Sequence, residues 1–153
     1  MNEISGTSSE LTHSDGMSKR VLIVEDDLLN RMFLSATLEA HGYDVRMVTD
    51  GAHVLAEAQD FTPDLITMDI NLPNVSGIDL IKQLRADPAF AAVPILAITA
   101  YVGKGEENLV RRVGASDYMP KPISIRPFLA SIERLLSEQQ EGETPRAAPG
   151  AAA

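Results

Sequence analysis

The chain has 153 residues, 44% of them hydrophobic and 23% charged, with a formal net charge of −9 and no cysteine. That length and composition describe one globular domain; the missing cysteines exclude disulfides, thiolate metal sites and thiol nucleophiles, and the acidic balance argues against nonspecific nucleic-acid binding. No stretch approaches the roughly 20 apolar residues of a membrane span, and the N-terminus lacks the apolar core of a secretory signal, so the expectation is a cytoplasmic chain that meets neither membrane nor nucleic acid.

Residues 1–18 are mostly Ser, Thr, Gly and acids with few apolar residues, predicted to be a disordered arm, with Met17 an alternative start. Residues 20–25, RVLIVE, are a short β-branched apolar run and read as a strand. A helix follows, with Phe33, Leu34, Thr37, Leu38 and His41 on one stripe and Gly42 as the stop. On that stripe His41 is expected to pack rather than to carry phosphate. Residues 43–49 mix Asp44, Arg46 and Thr49 into a strand, as an edge strand would, and 51–60 make a short helix. Residues 64–69 are a strand and 77–87 a helix ended by Pro88. Residues 93–99 are a strand, 103–114 a polar helix expected to fray, and 116–120 a short strand. The last helix, 124–140, carries a stripe of Ile125, Phe128, Leu129, Ile132, Leu135 and Leu136, with Ser124 as its N-cap. From Glu141 the Gly, Pro and Ala-rich tail has no periodic face and is expected to be disordered.

Five βα units in a row predict an α/β fold, a doubly wound five-stranded parallel sheet with helices on both faces, over residues 19–140. Ligands of such sheets sit beyond the carboxyl ends of the strands. Those ends carry Glu25-Asp26-Asp27, Asp69, Thr99 and Lys121. Two carboxylates about 4 Å apart repel by about 4 kcal/mol at an effective dielectric of about 20. A hard divalent cation such as Mg²⁺ offsets that repulsion through oxygen ligands. Lys121 adds positive charge, and an ionised Asp69 beside it and the Thr99 hydroxyl is a nucleophile suited to a phosphoryl group. Asp27 is read as a helix cap.

The motifs VLIVEDD, LITMDINLPNVSG, AITAY and YMPKP stand in one order and spacing. Together they resemble the receiver domain of two-component response regulators, the CheY-like fold, over roughly residues 19–138. The wording MDINLP, ITAY and PKPIS is similar to that of single-domain, DivK-type regulators. The resemblance implies that Asp69 is the phosphoacceptor, that Glu25, Asp26, Asp69 and the Asn71 carbonyl hold Mg²⁺, and that Lys121 precedes a cis proline. It also implies that Thr99 and Tyr118 form the switch and that Asn71 and Tyr101 set the lifetime of the aspartyl phosphate. A histidine kinase or phosphotransfer protein would be the donor. A downstream protein would read the face of helix four, strand five and helix five, the chain being a monomer or a phosphorylation-linked dimer. Residues after 140 are too few for an output domain, so signalling by protein contact is expected. The chain would be no enzyme beyond its own phosphorylation and dephosphorylation.

Two other readings were open. One is an adaptor that binds regardless of phosphorylation, against which the complete acidic site argues. The other is a Mg²⁺-dependent phosphatase with an aspartyl nucleophile. Such enzymes need an aspartate two residues on as acid and base, where this chain has Asn71.

Overall fold

The structure is a computed structural model that describes the backbone of residues 18–101 and 103–152, and side chains as far as Gln139. The expectations for residues 1–17 lie outside the described residues. Five strands, β1 (Arg20–Val24), β2 (Asp44–Val48), β3 (Leu65–Asp69), β4 (Ile95–Thr99) and β5 (Asp117–Pro120), form one parallel sheet in the order β2-β1-β3-β4-β5. Between and after them run α1 (Leu28–Ala40), α2 (Val54–Phe61, preceded by a 3₁₀ turn at Gly51–His53), α3 (Gly77–Ala86), α4 (Lys104–Val113) and α5 (Ile125–Ala152).

The alternation of side chains along a strand divides the core into two layers. Val21, Ile23, Leu65, Leu96 and Ile98 face α1 and α5, where they meet Leu34, Leu38, Phe128 and Ile132. Leu22, Val24, Ile66, Met68, Ile95 and Ala97 face the other way, against Val54, Leu80, Ile81, Leu84 and Val110. Burying each such large apolar side chain contributes about 1.5–3 kcal/mol. Both faces of β3 and β4 are covered, and every residue of the two strands is buried. β2 lies at the edge of the sheet, as its mixed pattern predicts.

The strand order reverses between β1 and β3, and that switch point opens a crevice beyond their carboxyl ends. Register fixes what stands there: Val24 pairs with Met68, Asp69 with Ile98, and Thr99 with Pro120. Glu25, Asp69, Thr99 and Lys121 therefore arrive on one rim.

Three local expectations are corrected. His41 is exposed rather than packed: it is the C-cap of α1, with Nδ1 2.8 Å from the Thr37 carbonyl. The helix turns its Leu34-Ser35-Leu38 face inward, which leaves Phe33 at the margin and 38% exposed. α4 is a continuous helix rather than a frayed one. Its first turn carries Glu106 and Glu107 and its last turn Arg111 and Arg112, a charge order that complements the helix dipole. The Arg111–Glu107 pair, at 3.0 Å, adds an i,i+4 contact. The backbone of α5 runs as helix from Ile125 to Ala152.

Candidate functional site

Each strand end reaches the rim by a distinct local device. After β1, Asp27 caps α1 through its Oδ2, which accepts from the Asn30 N–H at 2.9 Å. Arg31 Nη1 donates to the carbonyls of Asp26 (2.8 Å) and Glu25 (3.3 Å), pinning the acidic turn. After β3, the chain doubles back so that the Gly77 N–H donates to the Ile70 carbonyl at 3.2 Å, and Ser76 Oγ caps α3 at the Ile78 N–H. A Cβ on Gly77 would stand 2.5 Å from the Asp69 carbonyl oxygen, so only glycine permits this return. After β5, the Lys121 N–H donates to the Thr99 carbonyl at 2.8 Å, and the Lys121–Pro122 peptide is cis, as the resemblance implied.

Asp69 and Glu25 are both 1% exposed, while Asp26 lies open to solvent. One oxygen of each lies within 4.8 Å of the other two. Lys121 Nζ is 3.2 Å from Asp69 Oδ2 and 3.6 Å from Glu25 Oε1. Beyond this ion pairing, those same two buried oxygens have no hydrogen-bond partner among the described residues. Burial, before any other influence, pushes the Glu25 carboxyl up to about 7. The Asp27 N–H opposes this, the Asp69 charge adds to it, and Lys121 opposes it again. Three converging carboxylates, two of whose buried oxygens lack a hydrogen bond, are a donor set that suits a small hard cation.

Around this acidic pocket the sequence-predicted residues form one connected group. The Asn71 N–H donates to Asp69 Oδ1 at 2.9 Å. The Asn71 side-chain oxygen accepts from the Ala100 N–H at 2.8 Å and from the fully buried Thr99 hydroxyl at 3.2 Å. Thr99 Oγ1 accepts the Tyr101 N–H at 3.1 Å, and the half-buried Tyr118 hydroxyl donates to the Tyr101 carbonyl at 2.7 Å. The Tyr101 ring itself is 65% exposed.

Sequence reasoning missed two contributors. Glu106, in the first turn of α4, reaches back to the rim, with its Oε2 3.1 Å from Thr99 Oγ1. An acid seven residues past Thr99 on a polar helix was visible, but its direction was not. Asp117 binds α4 to α5 by accepting from Arg111, Arg134 and Ser131. Burial would raise its carboxyl, but the Ser131 hydroxyl, the Tyr118 N–H and the two arginines outweigh that and hold it below the ordinary range.

A doubly wound sheet with an acidic pocket, a buried hydroxyl and an ammonium on one rim is the arrangement of a receiver domain. The chain belongs to the response regulator receiver domain family, whose sequence pattern it matches over residues 21–133. The polar-differentiation response regulator DivK of Brucella ovis is 39% identical over 122 residues, spanning 80% of this chain and 99% of DivK. Among solved structures, chemotaxis protein CheY4 of Vibrio cholerae is 30% identical, covers 78% of this chain and 99% of its own, and superposes with a TM-score of 0.74. The receiver domain of sensor histidine kinase PA1611 from Pseudomonas aeruginosa has a magnesium ion coordinated in its active site cleft. It is 30% identical, covers 79% of this chain and 99% of its own, and has a TM-score of 0.73. The CheY-like fold and two-component class expected from the motifs therefore hold.

Proposed function

We propose that this chain is a cytoplasmic response regulator that accepts a phosphoryl group on Asp69 and signals through protein contacts, and is no enzyme beyond that chemistry. The observation that carries the reading is the Asp69 carboxylate held between an ammonium 3.2 Å away and two further carboxylates. Glu25, Asp26, Asp69 and the Asn71 backbone would hold Mg²⁺, which supplies neutralisation of charge on the transferring group. The Asn71 N–H fixes Asp69 Oδ1 and leaves Oδ2, the oxygen without a hydrogen bond, as the attacking atom. Oδ2 forms the new bond to phosphorus as the bond to the donor histidine nitrogen breaks. Lys121 stabilises the charge that develops on the phosphoryl oxygens. The Thr99 hydroxyl then turns to one of those oxygens, and Tyr118 follows it inward.

A histidine kinase or phosphotransfer protein is the donor class. It approaches past Leu28, Leu29 and Met32, which are 58%, 75% and 57% exposed where α1 begins beside Asp26 and Asp27. The output surface is α4, β5 and α5, since Tyr118 lies on β5 and Asp117 ties all three elements together. Incubation with acetyl phosphate, followed by intact-mass measurement, tests the reading. One added phosphoryl group in the wild type, lost with EDTA and in Asp69→Asn, is the expected result. An equal mass shift in Asp69→Asn would place the chemistry elsewhere.

A further inference from the structure

The Thr99 hydroxyl has one proton, and two acceptors already compete for it: Glu106 Oε2 at 3.1 Å and Asn71 Oδ1 at 3.2 Å. Its lone pairs are engaged as well, by the Tyr101 N–H. Asn71 Oδ1 has a second donor in the Ala100 N–H, so it does not depend on Thr99. Among the contacts described for Glu106, the Thr99 hydroxyl is its hydrogen-bond donor. Its neighbour Glu107 is instead engaged by Arg111. Burial raises the Tyr118 phenol; a hydrogen bond with the Gly103 backbone opposes this, and the charges of Glu106 and Glu107 add smaller upward pushes.

We propose that Glu106 is a latch that fastens the Thr99 hydroxyl to α4 in the resting protein and is displaced by the phosphoryl group. The inference rests on the phosphoacceptor reading of Asp69. A hydroxyl cannot donate one proton to both a carboxylate on α4 and a phosphoryl oxygen on Asp69. When Thr99 turns toward the phosphoryl group, Glu106 loses its donor and faces a new anion across the rim. Loss of the bond and like-charge repulsion then act in the same direction, on the first turn of a helix whose N-cap, Gly103, makes no side-chain cap. The latch therefore raises the free energy of the activated state relative to the resting one and makes α4 sense the event directly. Glu106 is a positioning residue, acting on the phosphoryl site through Thr99.

The test is titration of full-length protein with beryllofluoride in saturating Mg²⁺, followed by NMR of the Thr99 amide and the Tyr118 ring. Glu106→Ala removes acceptor and charge and is expected to bind about tenfold more tightly than wild type, the scale of one hydrogen bond to a charged group. Glu106→Gln keeps an acceptor without the charge and is expected to fall between the two. Glu107→Gln removes the same charge from the same helical turn and is expected to match wild type. Before any beryllofluoride is added, the Thr99 and Tyr118 signals of Glu106→Ala should lie partway toward their bound positions, a shift that helix stability alone would not produce. An unchanged or weaker affinity in both Glu106 variants overturns the latch, as does equal tightening by Glu107→Gln. Wild type that binds no beryllofluoride overturns the phosphoacceptor reading itself, and the latch with it.

Discussion

The α carbon of Gly77 faces the carbonyl of Asp69 so closely that a methyl group there would come within 2.5 Å of the oxygen and 2.6 Å of the Ile70 Cα. Both neighbours are backbone, so neither can step aside as a side-chain tip would. Gly77→Ala therefore has to push the start of α3 away from β3 or shift the carboxylate it supports. The expected outcome is a loss of about 1–3 kcal/mol of stability, the cost of overpacking, together with slower phosphorylation at Asp69. Urea denaturation and acetyl-phosphate kinetics measure the two effects. Full activity at unchanged stability would show that the return loop has slack.

Glu25 provides a pH dependence whose sign is fixed by its environment. Its carboxyl is raised from 4.5 to about 7 in the folded chain, first by burial. The folded state then binds the proton more tightly than the unfolded state does. In metal-free protein this contribution to stability is complete below about 4.5 and is lost as pH rises through about 7. A cation competes with that proton, so Mg²⁺ affinity should climb between those limits and level off above them. Glu25→Gln should flatten both profiles. Calorimetric titration with Mg²⁺ across that range checks this, and a pH-independent affinity would contradict it.

Thr67 lies in β3 two residues before Asp69 and is 1% exposed, yet its hydroxyl has no hydrogen-bond partner. Val is nearly its equal in shape and brings no polar atom to desolvate. Thr67→Val is expected to stabilise the fold by about 1 kcal/mol, seen as a rise in Tm of about 2–4 °C, with phosphorylation unchanged. Destabilisation would mean that the hydroxyl is satisfied in solution.

Tyr101 stands two residues beyond Thr99, with its ring at the surface and its backbone engaged by both Thr99 and Tyr118. A bulky ring beside the rim obstructs a water that must reach the phosphorus in line. The aspartyl phosphate of the wild type is expected to outlive that of Tyr101→Glu by several-fold. Radiolabel decay measures it, and a shorter wild-type half-life would refute the steric account.

The rim was legible because carboxylates that end apolar runs have few other uses. Asp69 closes a strand whose five residues are all buried, and Glu25 follows four buried residues of β1. Strand order then brought Thr99 and Lys121 alongside, and one-dimensional spacing sufficed because parallel strands share a direction. The faces of the helices were less legible. His41 lies on the apolar stripe of α1 by spacing alone, but the helix ends there, and the ring turns back to its own backbone. Glu106 looked like one acid among several on a polar helix, because its aim depends on how α4 lies against β4. Gly77 opens the helix expected over 77–87, but the need for its missing side chain comes from a contact that spacing does not reveal.

The most direct test is a crystal grown with Mg²⁺ and beryllofluoride. The account predicts beryllium bonded to an Asp69 carboxylate oxygen, the cation against Asp26, Asp69 and Asn71, Lys121 on a fluorine, and the Thr99 hydroxyl swung from Glu106 to another fluorine. An ordered rim with nothing attached to Asp69 and with Thr99 still on Glu106 would contradict it.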